Sequence, residues 1–150
     1  MFKFYSHRSY ARSYGQLLAQ KLQQTKCEFD VLTWIPISLP RLWRRGYDQS
    51  RLLAQAIGQE MNITPLKTLV KFRHVKPQSR FQSAPQRKAN ILGAYRCICP
   101  DQVRDKRILL VDDIFTTGAT SGECARMLLA AGAKSVALIV VACADHTKKQ

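Results

Sequence analysis

Two adjacent carboxylates followed by a hydroxyl-rich turn are the residues of this sequence best suited to chemistry. Asp112 and Asp113 end an apolar run that begins at Arg107, and residues 116–120 then read Thr-Thr-Gly-Ala-Thr. Neighbouring carboxylates repel each other, so a divalent cation or donors such as sugar hydroxyls must compensate for their proximity. Gly118 permits a tight backbone path and the close approach of a ligand. The pattern predicts a ligand site.

The turn itself is typical of a phosphate-binding loop. The backbone amides of residues 116–120 would point outward at the start of a helix, where an anion is stabilised. Thr116, Thr117 and Thr120 add hydroxyl donors. A phosphate site a few residues from two acidic acceptors suits a ribose 5-phosphate, with the phosphate in the turn and the 2- and 3-hydroxyls on the acids. The expected ligand is a phosphorylated ribose.

Three elements are needed to position these groups. Ile108–Val111 are four branched residues, typical of a strand buried on both faces of a parallel sheet. Residues 122–131 carry apolar side chains at helical spacing, and Gly132 is placed to end that helix. Val136–Ala144 is apolar throughout and predicts a second buried strand. Such a crossover unit binds ligands beyond the carboxyl ends of its strands, where the acids and the turn would lie.

Three other interpretations fit an apolar run that ends in two acids. A Walker B strand requires a Walker A loop, and the nearest candidate, Gly15–Lys21, lacks the second glycine and is followed by Leu22. A response-regulator pocket would follow the first strand of its domain, whereas little chain follows Asp113. A solvated acidic loop that caps a strand stays open as the simplest alternative, although it does not need the Thr-Thr-Gly-Ala-Thr sequence.

The string Leu-Leu-Val-Asp-Asp followed by Thr-Thr-Gly-Ala-Thr resembles the phosphoribosyl pyrophosphate signature of type I phosphoribosyltransferases. Other motifs resemble the ComF family (competence protein F, GntX-like), phosphoribosyltransferase-like proteins associated with natural competence. These motifs are 34–38, 44–50, 52–54, 71–73, 77–78, 87–90 and 93–95. The resemblance runs from about Tyr10 to Ala144. It implies a single type I phosphoribosyltransferase domain over residues 1–150, an α/β fold with a largely parallel twisted sheet flanked by helices.

The resemblance also implies roles for individual residues. The acidic pair, Asp112 and Asp113, would receive the ribose hydroxyls and act in any catalysis. The 5-phosphate would be bound by Thr116, Thr117, Gly118, Ala119 and Thr120. The pyrophosphate loop would be Pro36, Ile37 and Ser38. A mobile loop over the pyrophosphate would contribute Arg73, Lys76 and Arg80, with Arg73 and Lys76 the catalytic candidates. Mg²⁺ would arrive with pyrophosphate rather than at a dedicated protein site.

Three functions follow from these expectations. The first is binding of phosphoribosyl pyrophosphate or a related ribose phosphate by a protein of DNA uptake, acting on or beside single-stranded DNA with other competence or DNA-processing proteins. The second is catalytic transfer of phosphoribose to a free base. The third is a nucleic-acid or protein adaptor with a vestigial pocket. ComF members commonly begin with a cysteine-bearing zinc module, which nothing before Tyr10 resembles, and no base-recognising hood is evident after Ala144.

Positive charge is the second strong signal. The formal net charge is +14, from 24 Lys and Arg against 10 Asp and Glu. Residues 67–96 contain eight Lys or Arg and no acid, and Arg41, Arg44 and Arg45 likewise stand in a segment without one. Such charge could focus potential on an acidic pyrophosphate, bind single-stranded nucleic acid together with aromatic residues, or have no partner at all.

If the positive charge binds single-stranded nucleic acid, six basic residues are the expected contacts. They are Arg41, Arg44, Arg45, Arg80, Arg87 and Lys88. Trp34 and Trp43 are expected to pack in the core or at its rim rather than to stack on bases. Charge alone leaves these alternatives open.

The remaining elements follow from local patterns. An opening helix is expected to carry one apolar face, formed by Tyr10, Tyr14, Leu17, Leu18 and Leu22. Val31–Ile35 predicts a strand, Asp48 caps a helix that ends near Glu60, and Tyr95–Ile98 predicts another strand. A turn is expected at 101–106. A flexible loop is expected over about 71–90, although Ser83 and Gln86 form a capping box for a short helix that Gly93 ends. Residues 146–150 are expected to fray.

Cellular location and metal binding are addressed by the targeting, cysteine and histidine patterns of the sequence. The sequence shows no signal peptide and no transmembrane segment, which favours the cytoplasm. Five cysteines without Cys-x-x-Cys spacing favour reduced, mostly buried thiols. His7, His74 and His146 are isolated, so no metal site is expected from them.

Overall fold

A computed structural model of the chain describes residues 2–73 and 83–144. The helices are α1 (Phe2–Gln24), α2 (Leu39–Arg45), α3 (Gln49–Met61), α4 (Ala84–Ile91), α5 (Pro100–Val103) and α6 (Ala119–Ala130). The strands are β1 (Val31–Trp34), β2 (Leu69–Lys71), β3 (Tyr95–Cys97), β4 (Arg107–Phe115) and β5 (Ser135–Cys143). The alternation of strands and helices is that of an α/β fold.

The main sheet is parallel, with β4 between β1 and β5. Successive β4 side chains point to opposite faces, and both faces are covered. Leu109 and Val111 pack on the side of α1 and α3 with Leu53, whereas Leu110 packs on the side of α6 with Leu128. A strand with helices on both faces needs apolar residues without alternation, which explains the run in β4. The expected buried strand and the crossover from β4 through α6 to β5 are confirmed.

The second sheet is the antiparallel pair of β2 and β3, separate from the parallel one. A hydrogen bond of 2.7 Å between the buried hydroxyls of Thr33 and Thr68 ties β1 to the residue before β2. The expected capping box is present, because Ser83 accepts from the Gln86 amide and the Gln86 side chain accepts from the Ser83 amide.

The loop expected over about 71–90 needs correction at both ends. Lys71 ends strand β2, and residues 84–90 belong to α4, where the capping box and hydrogen bonds of the helix hold them. Residues 74–82, including His74, Lys76 and Arg80, lie outside the described residues. The expected frayed tail also lies outside them.

Helix α1 buries only part of the face that its large apolar residues indicate, because Leu22 is buried and Leu18 packs half-buried against the core. Ala11, Ala19 and Leu22 are buried, whereas Tyr10, Tyr14 and Leu17 are exposed. The reason is close packing of α1 against α3: a Cβ placed on Gly15 would clash with the side chain of Ala56. Small residues allow two helix backbones to approach, so they form the contact with α3, and Tyr10, Tyr14 and Leu17 lie outside it.

Strand β5 is not the buried strand expected from its sequence. It lies at the edge of the parallel sheet, and most of its residues are exposed or half-buried. The cysteines differ from expectation as well, because only Cys124 is buried and Cys143, at the end of β5, is exposed. All five thiols are free.

The predicted start of α3 and the predicted end of α6, the helices on either side of the site, are confirmed. Asp48 is the N-cap of α3 and accepts a hydrogen bond from the Arg51 amide. Gly132 follows α6 with a φ of +103°, which is the left-handed backbone that glycine adopts easily. The turn expected at 101–106 contains the end of the short helix α5.

Within the described ranges, no helix has both the length and the apolar character needed to cross a membrane.

Candidate functional site

A cleft of about 330 Å³ lies at the carboxyl ends of β1 and β4, where ligands of parallel sheets bind. Its walls come from the turn after β1, the start of α3, β2, β3, the end of β4 and the start of α6. The lining residues are Ile35, Pro36, Ile37, Arg41, Arg45, Asp48, Gln49, Ser50, Lys71, Tyr95, Asp112, Asp113, Ile114, Phe115, Thr116, Gly118, Thr120 and Ser121. The cleft therefore brings together the acidic pair, the hydroxyl-rich turn and part of the expected pyrophosphate loop.

The acidic pair belongs to β4 itself, which continues to Phe115. The Ser50 hydroxyl donates to Asp112 Oδ1 at 2.9 Å, and the Asp113 amide donates to the same oxygen at 2.9 Å. The Ile114 amide donates to Asp113 Oδ1 at 2.8 Å. Hydroxyl and backbone donors thus hold each carboxylate at its Oδ1 atom.

Burial and like charge perturb Asp112. Desolvation, followed by repulsion from Asp113, raises the pKa of Asp112 to about 7. The hydrogen bond from Ser50 acts in the opposite direction, because it stabilises the ionised carboxylate. Asp112 therefore needs donors or positive charge to be fully ionised at neutral pH.

Some residues of the 116–120 turn line the cleft, and others shape the start of α6. Gly118 is the N-cap of α6 with a φ of +78°, and a Cβ there would come within 2.9 Å of the Phe115 ring. Thr116, Gly118 and Thr120 line the cleft. Thr117 Oγ1 instead accepts from the Ala119 amide at 3.3 Å, so this residue shapes the turn. The helix start faces the cleft, as a phosphate site requires.

Only two of the three residues expected to form the pyrophosphate loop lie at the cleft. Pro36 and Ile37 line the cleft, whereas Ser38 is buried as the N-cap of α2. Asp48 joins this loop to α3, because its Oδ2 accepts from the Ile37 amide at 3.4 Å while its Oδ1 accepts from the Arg51 amide at 3.3 Å. Burial raises the pKa of Asp48.

Three cations line the cleft together with the acids. Arg41 and Arg45, expected as nucleic-acid contacts, lie one helical turn apart on α2 and line the cleft. Lys71, at the end of β2, also lines it and lies over the Tyr95 ring. Burial, and then the charge of Arg41, lowers the pKa of Lys71. These cations can receive the charge of a pyrophosphate.

Other predicted residues are not brought to the cleft. The Arg73 guanidinium donates to the carbonyls of Asn90 and Leu92 at 2.9 and 2.7 Å, so it holds the end of α4. Arg87 and Lys88 lie on α4, and neither lines the cleft; Arg44 is exposed on α2. Lys76 and Arg80 are outside the described residues.

Several lining residues were missed at the sequence level as members of the site. They are Asp48, Gln49, Ser50, Lys71, Tyr95 and Ser121. The Gln49 Oε1 atom is buried without a hydrogen-bond partner in the described part of the chain. The sequence identifies the segment Gly-Tyr-Asp-Gln-Ser as a family motif and Asp48 as a helix cap, but not as part of the site. Its unusual polarity at the start of an apolar helix was the available signal.

The two tryptophans differ sharply in solvent exposure. Trp34 is buried in the core beside Leu53, as expected. Trp43 is 85% exposed on α2, so the expectation of core or rim packing is wrong for this residue. Leu39, one turn before it, is also exposed. Helix α2 therefore presents Arg41 and Arg45 to the cleft and an aromatic side chain to solvent.

The family comparison agrees with the geometry of the site. A family model described as the phosphoribosyl transferase domain matches residues 49–150, which is more than half of the chain. The matched region contains the acidic pair, the turn and the start of α3. The glutamine phosphoribosylpyrophosphate amidotransferase of B. subtilis, solved with ADP and GMP, has a similar fold. The TM-score is 0.61 at 26% identity, and the match covers 89% of this chain and 26% of that one.

Curated relatives come from bacteria and carry names related to DNA. Competence protein F of Haemophilus influenzae is 31% identical over 143 residues, which cover 90% of this chain and 62% of that protein. DNA utilization protein YhgH of Escherichia coli K12 is 35% identical over 107 residues, which cover 71% of this chain and 46% of that protein. The chain spans about half the length of such relatives. It belongs to the phosphoribosyl transferase domain family, and these relatives confirm its resemblance to the ComF proteins.

Proposed function

We propose that the cleft binds phosphoribosyl pyrophosphate, or a related ribose phosphate, and that the protein acts in DNA uptake or utilization. The observation that carries the proposal is the convergence of two acids, a helix start with a glycine N-cap, and three cations on one cleft. Asp112 and Asp113 receive the ribose hydroxyls, and the turn of residues 116–120 receives the 5-phosphate. The competence and DNA utilization names of the relatives support the cellular role.

The pyrophosphate is proposed to lie between the turn after β1 and the three cations. The Pro36–Ile37 turn forms one wall, and Arg41, Arg45 and Lys71 provide positive charge. Mg²⁺ is proposed to enter with this ligand, held by phosphate oxygens and water as this ion prefers. In the described residues, no three or more His, Cys, Asp or Glu side chains form a group that could hold a metal ion.

Calorimetry tests the proposal directly. Phosphoribosyl pyrophosphate with Mg²⁺ is titrated into the purified chain, with ribose 5-phosphate and pyrophosphate as separate ligands. We expect saturable binding that the Asp112→Asn, Asp113→Asn double variant loses. Glu60→Gln, an exposed position on α3 outside the cleft, is the matched control and should bind normally. Equal binding by the double variant would contradict the assignment of the acids.

Catalysis of phosphoribosyl transfer is the second proposal for the same cleft. The reaction would displace pyrophosphate from C1 of the ribose, and backbone amides, Mg²⁺ and the cations would stabilise the charge on the leaving group. Release of pyrophosphate that depends on an added free base would support it. Binding without such release for any base tested would leave the protein a ligand-binding domain.

Contact with single-stranded nucleic acid is a separate candidate, and Trp43 favours it. An exposed tryptophan next to Arg44 on a basic helix can stack on a base while neighbouring cations contact phosphates. We expect Trp43→Ala to weaken binding of a fluorescent single-stranded oligonucleotide about fivefold to a hundredfold. Leu39→Ala removes a neighbouring exposed apolar side chain and is the control. Unchanged binding by Trp43→Ala would remove this helix from consideration.

A cytoplasmic location is also proposed. Five free cysteines fit a reducing compartment, where thiols stay unpaired. Fractionation of cells that express the chain, with an antibody against it, tests the location. Recovery with periplasmic or secreted proteins would contradict it.

A further inference from the structure

The outer edge of β5 has no strand partner in residues 2–73 and 83–144. The inner edge pairs with β4 along almost its whole length. Across Ser135–Cys143 there is no charged residue and no proline. Natural sheets protect exposed edges with charges, prolines, bulges or short strands. This strand has nine residues and contains neither a charge nor a proline. Its backbone groups and apolar side chains are suited to pairing with another strand.

Helix α1 adds an apolar stripe at the same border. Ile139 and Val141 of β5 pack against the cluster that contains α1. Arg8 and Arg12 lie on the flank of α1 toward α3, because they line a cleft with α3 residues. At about 100° per residue, Tyr10, Tyr14 and Leu17 lie on the opposite flank, away from α3. Leu17 is 58% exposed, and both tyrosines are exposed.

Helix α6 contributes from the other face of the sheet. Glu123 lies on the flank of α6 toward α4 and accepts from the Gly93 amide. Leu129 lies on the other flank and is 49% exposed, while Leu138 of β5 is 37% exposed. The three layers of the fold, α1, the sheet and α6, therefore all leave apolar side chains uncovered along one border.

We propose that this border is the interface of a two-fold symmetric dimer, in which β5 pairs antiparallel with β5 of a second copy of this chain. A two-fold axis perpendicular to the sheet keeps each face on its own side, so α1 lies beside α1 and α6 beside α6 of the other copy. Such an interface is isologous. It would join the two parallel sheets into one continuous sheet of six strands.

Two features favour a second copy over an unrelated strand. An added peptide strand would pair with β5 but leave Leu17 and Leu129 exposed, whereas a second copy presents the same three layers in the same order. The strand layer of this border carries no charge, although Lys21 lies on the same flank of α1 as Tyr14 and Leu17. The chain carries a net charge of +14, and β5 carries none of it, so two copies can meet here with no like charges opposed along the paired strands.

Sedimentation velocity over a wide range of concentration tests the dimer. We expect the wild-type chain to approach twice the 17.1 kDa mass of one chain as concentration rises. Leu138→Lys places a charge in the strand layer, and Leu17→Glu places one in the helix layer without touching the core. Both variants should remain monomeric. Leu92→Lys, at an equally exposed apolar position next to α4, is the control and should dimerise like the wild type.

Hydrogen exchange supplies an independent test of where the copies meet. The alternate β5 amides that do not bond to β4 should exchange slowly at high concentration and fast after dilution, while amides of β1 do not change. A wild-type chain that stays monomeric throughout would overturn the proposal. So would dimers that survive both substitutions, with far-UV circular dichroism showing the variants folded, or β5 amides that are indifferent to concentration.

Discussion

Asp112 is held in a site that does not favour its charge, and this has a consequence for stability. Its pKa is about 7 in the folded chain and about 3.9 in an unfolded one, because burial and Asp113 both oppose ionisation. Between about pH 4 and 7 the folded state therefore binds more protons than the unfolded state. Stability attributable to this group falls as pH rises through that window.

Replacing Asp112 by Asn should stabilise the protein while removing ligand binding. Asn keeps an acceptor for the Ser50 hydroxyl and the Asp113 amide but has no charge to desolvate. We expect the free energy of unfolding to rise by about 1 to 3 kcal/mol at pH 8 and to change little near pH 4. Urea unfolding at both pH values measures the difference. An equal effect at the two pH values would show that Asp112 titrates normally.

Ser50 is a positioning residue for Asp112. Its hydroxyl donates to Asp112 Oδ1 at 2.9 Å and so favours the ionised form. Ser50→Ala should move the pH midpoint of ribose phosphate binding upward by about one unit, because a hydrogen bond to a charged group is lost. Calorimetric titrations from acidic to alkaline pH measure the midpoint. Ser50→Thr keeps the donor and should restore the wild-type profile; a general loss of affinity without a shift would indicate a purely structural role.

At the scale of elements, the buried hydroxyl pair of Thr33 and Thr68 links the two sheets. Neither side chain reaches solvent, so each depends on the other for its hydrogen bond. Thr33→Val alone should lower the free energy of unfolding by about 1 to 3 kcal/mol, because it leaves the Thr68 hydroxyl unpaired. The double Thr→Val variant should cost less than the two single variants summed. Additive costs in urea unfolding would show that the pair is not coupled.

The elements that could be predicted from the sequence are those whose signals are local. The acid pair and the turn are contiguous, and β4 is covered on both faces, so their identity and position follow from one segment. Helix α1 shows the limit of that reasoning. Its contact with α3 requires Gly15 and small neighbours, a fact about the partner helix that hydrophobicity along α1 does not contain.

The rest of the site could not be predicted because it is assembled from distant segments. Ser50 meets Asp112 across 62 positions of the chain, and Lys71 reaches the cleft from the second sheet. The burial of β5 depends on what lies beyond the sheet edge, which its apolar sequence cannot report. The charge of the basic residues on α2 is evident from the sequence, but only the helix geometry places Arg41 and Arg45 at the cleft and Trp43 in solvent.

At the scale of the whole molecule, the cleft is built from elements that are otherwise joined only through the core. The ends of β2 and β4 and the starts of α3 and α6 all contribute to its wall, so a bound ligand connects both sheets and both helical layers. A ligand that binds only the folded state must then stabilise the whole domain, by an amount that depends on its concentration relative to its Kd.

Phosphoribosyl pyrophosphate with Mg²⁺ at about 100 times its Kd should therefore add about 2.7 kcal/mol to the free energy of unfolding. For a chain of this size, the Tm should rise by roughly 5 to 10 °C. Differential scanning calorimetry measures the shift, with Glu60→Gln as the control that keeps it. The Asp112→Asn, Asp113→Asn variant should show none. An undiminished shift in that variant would mean that the ligand stabilises the fold from another surface, such as the arginine-lined cleft between α1 and α3.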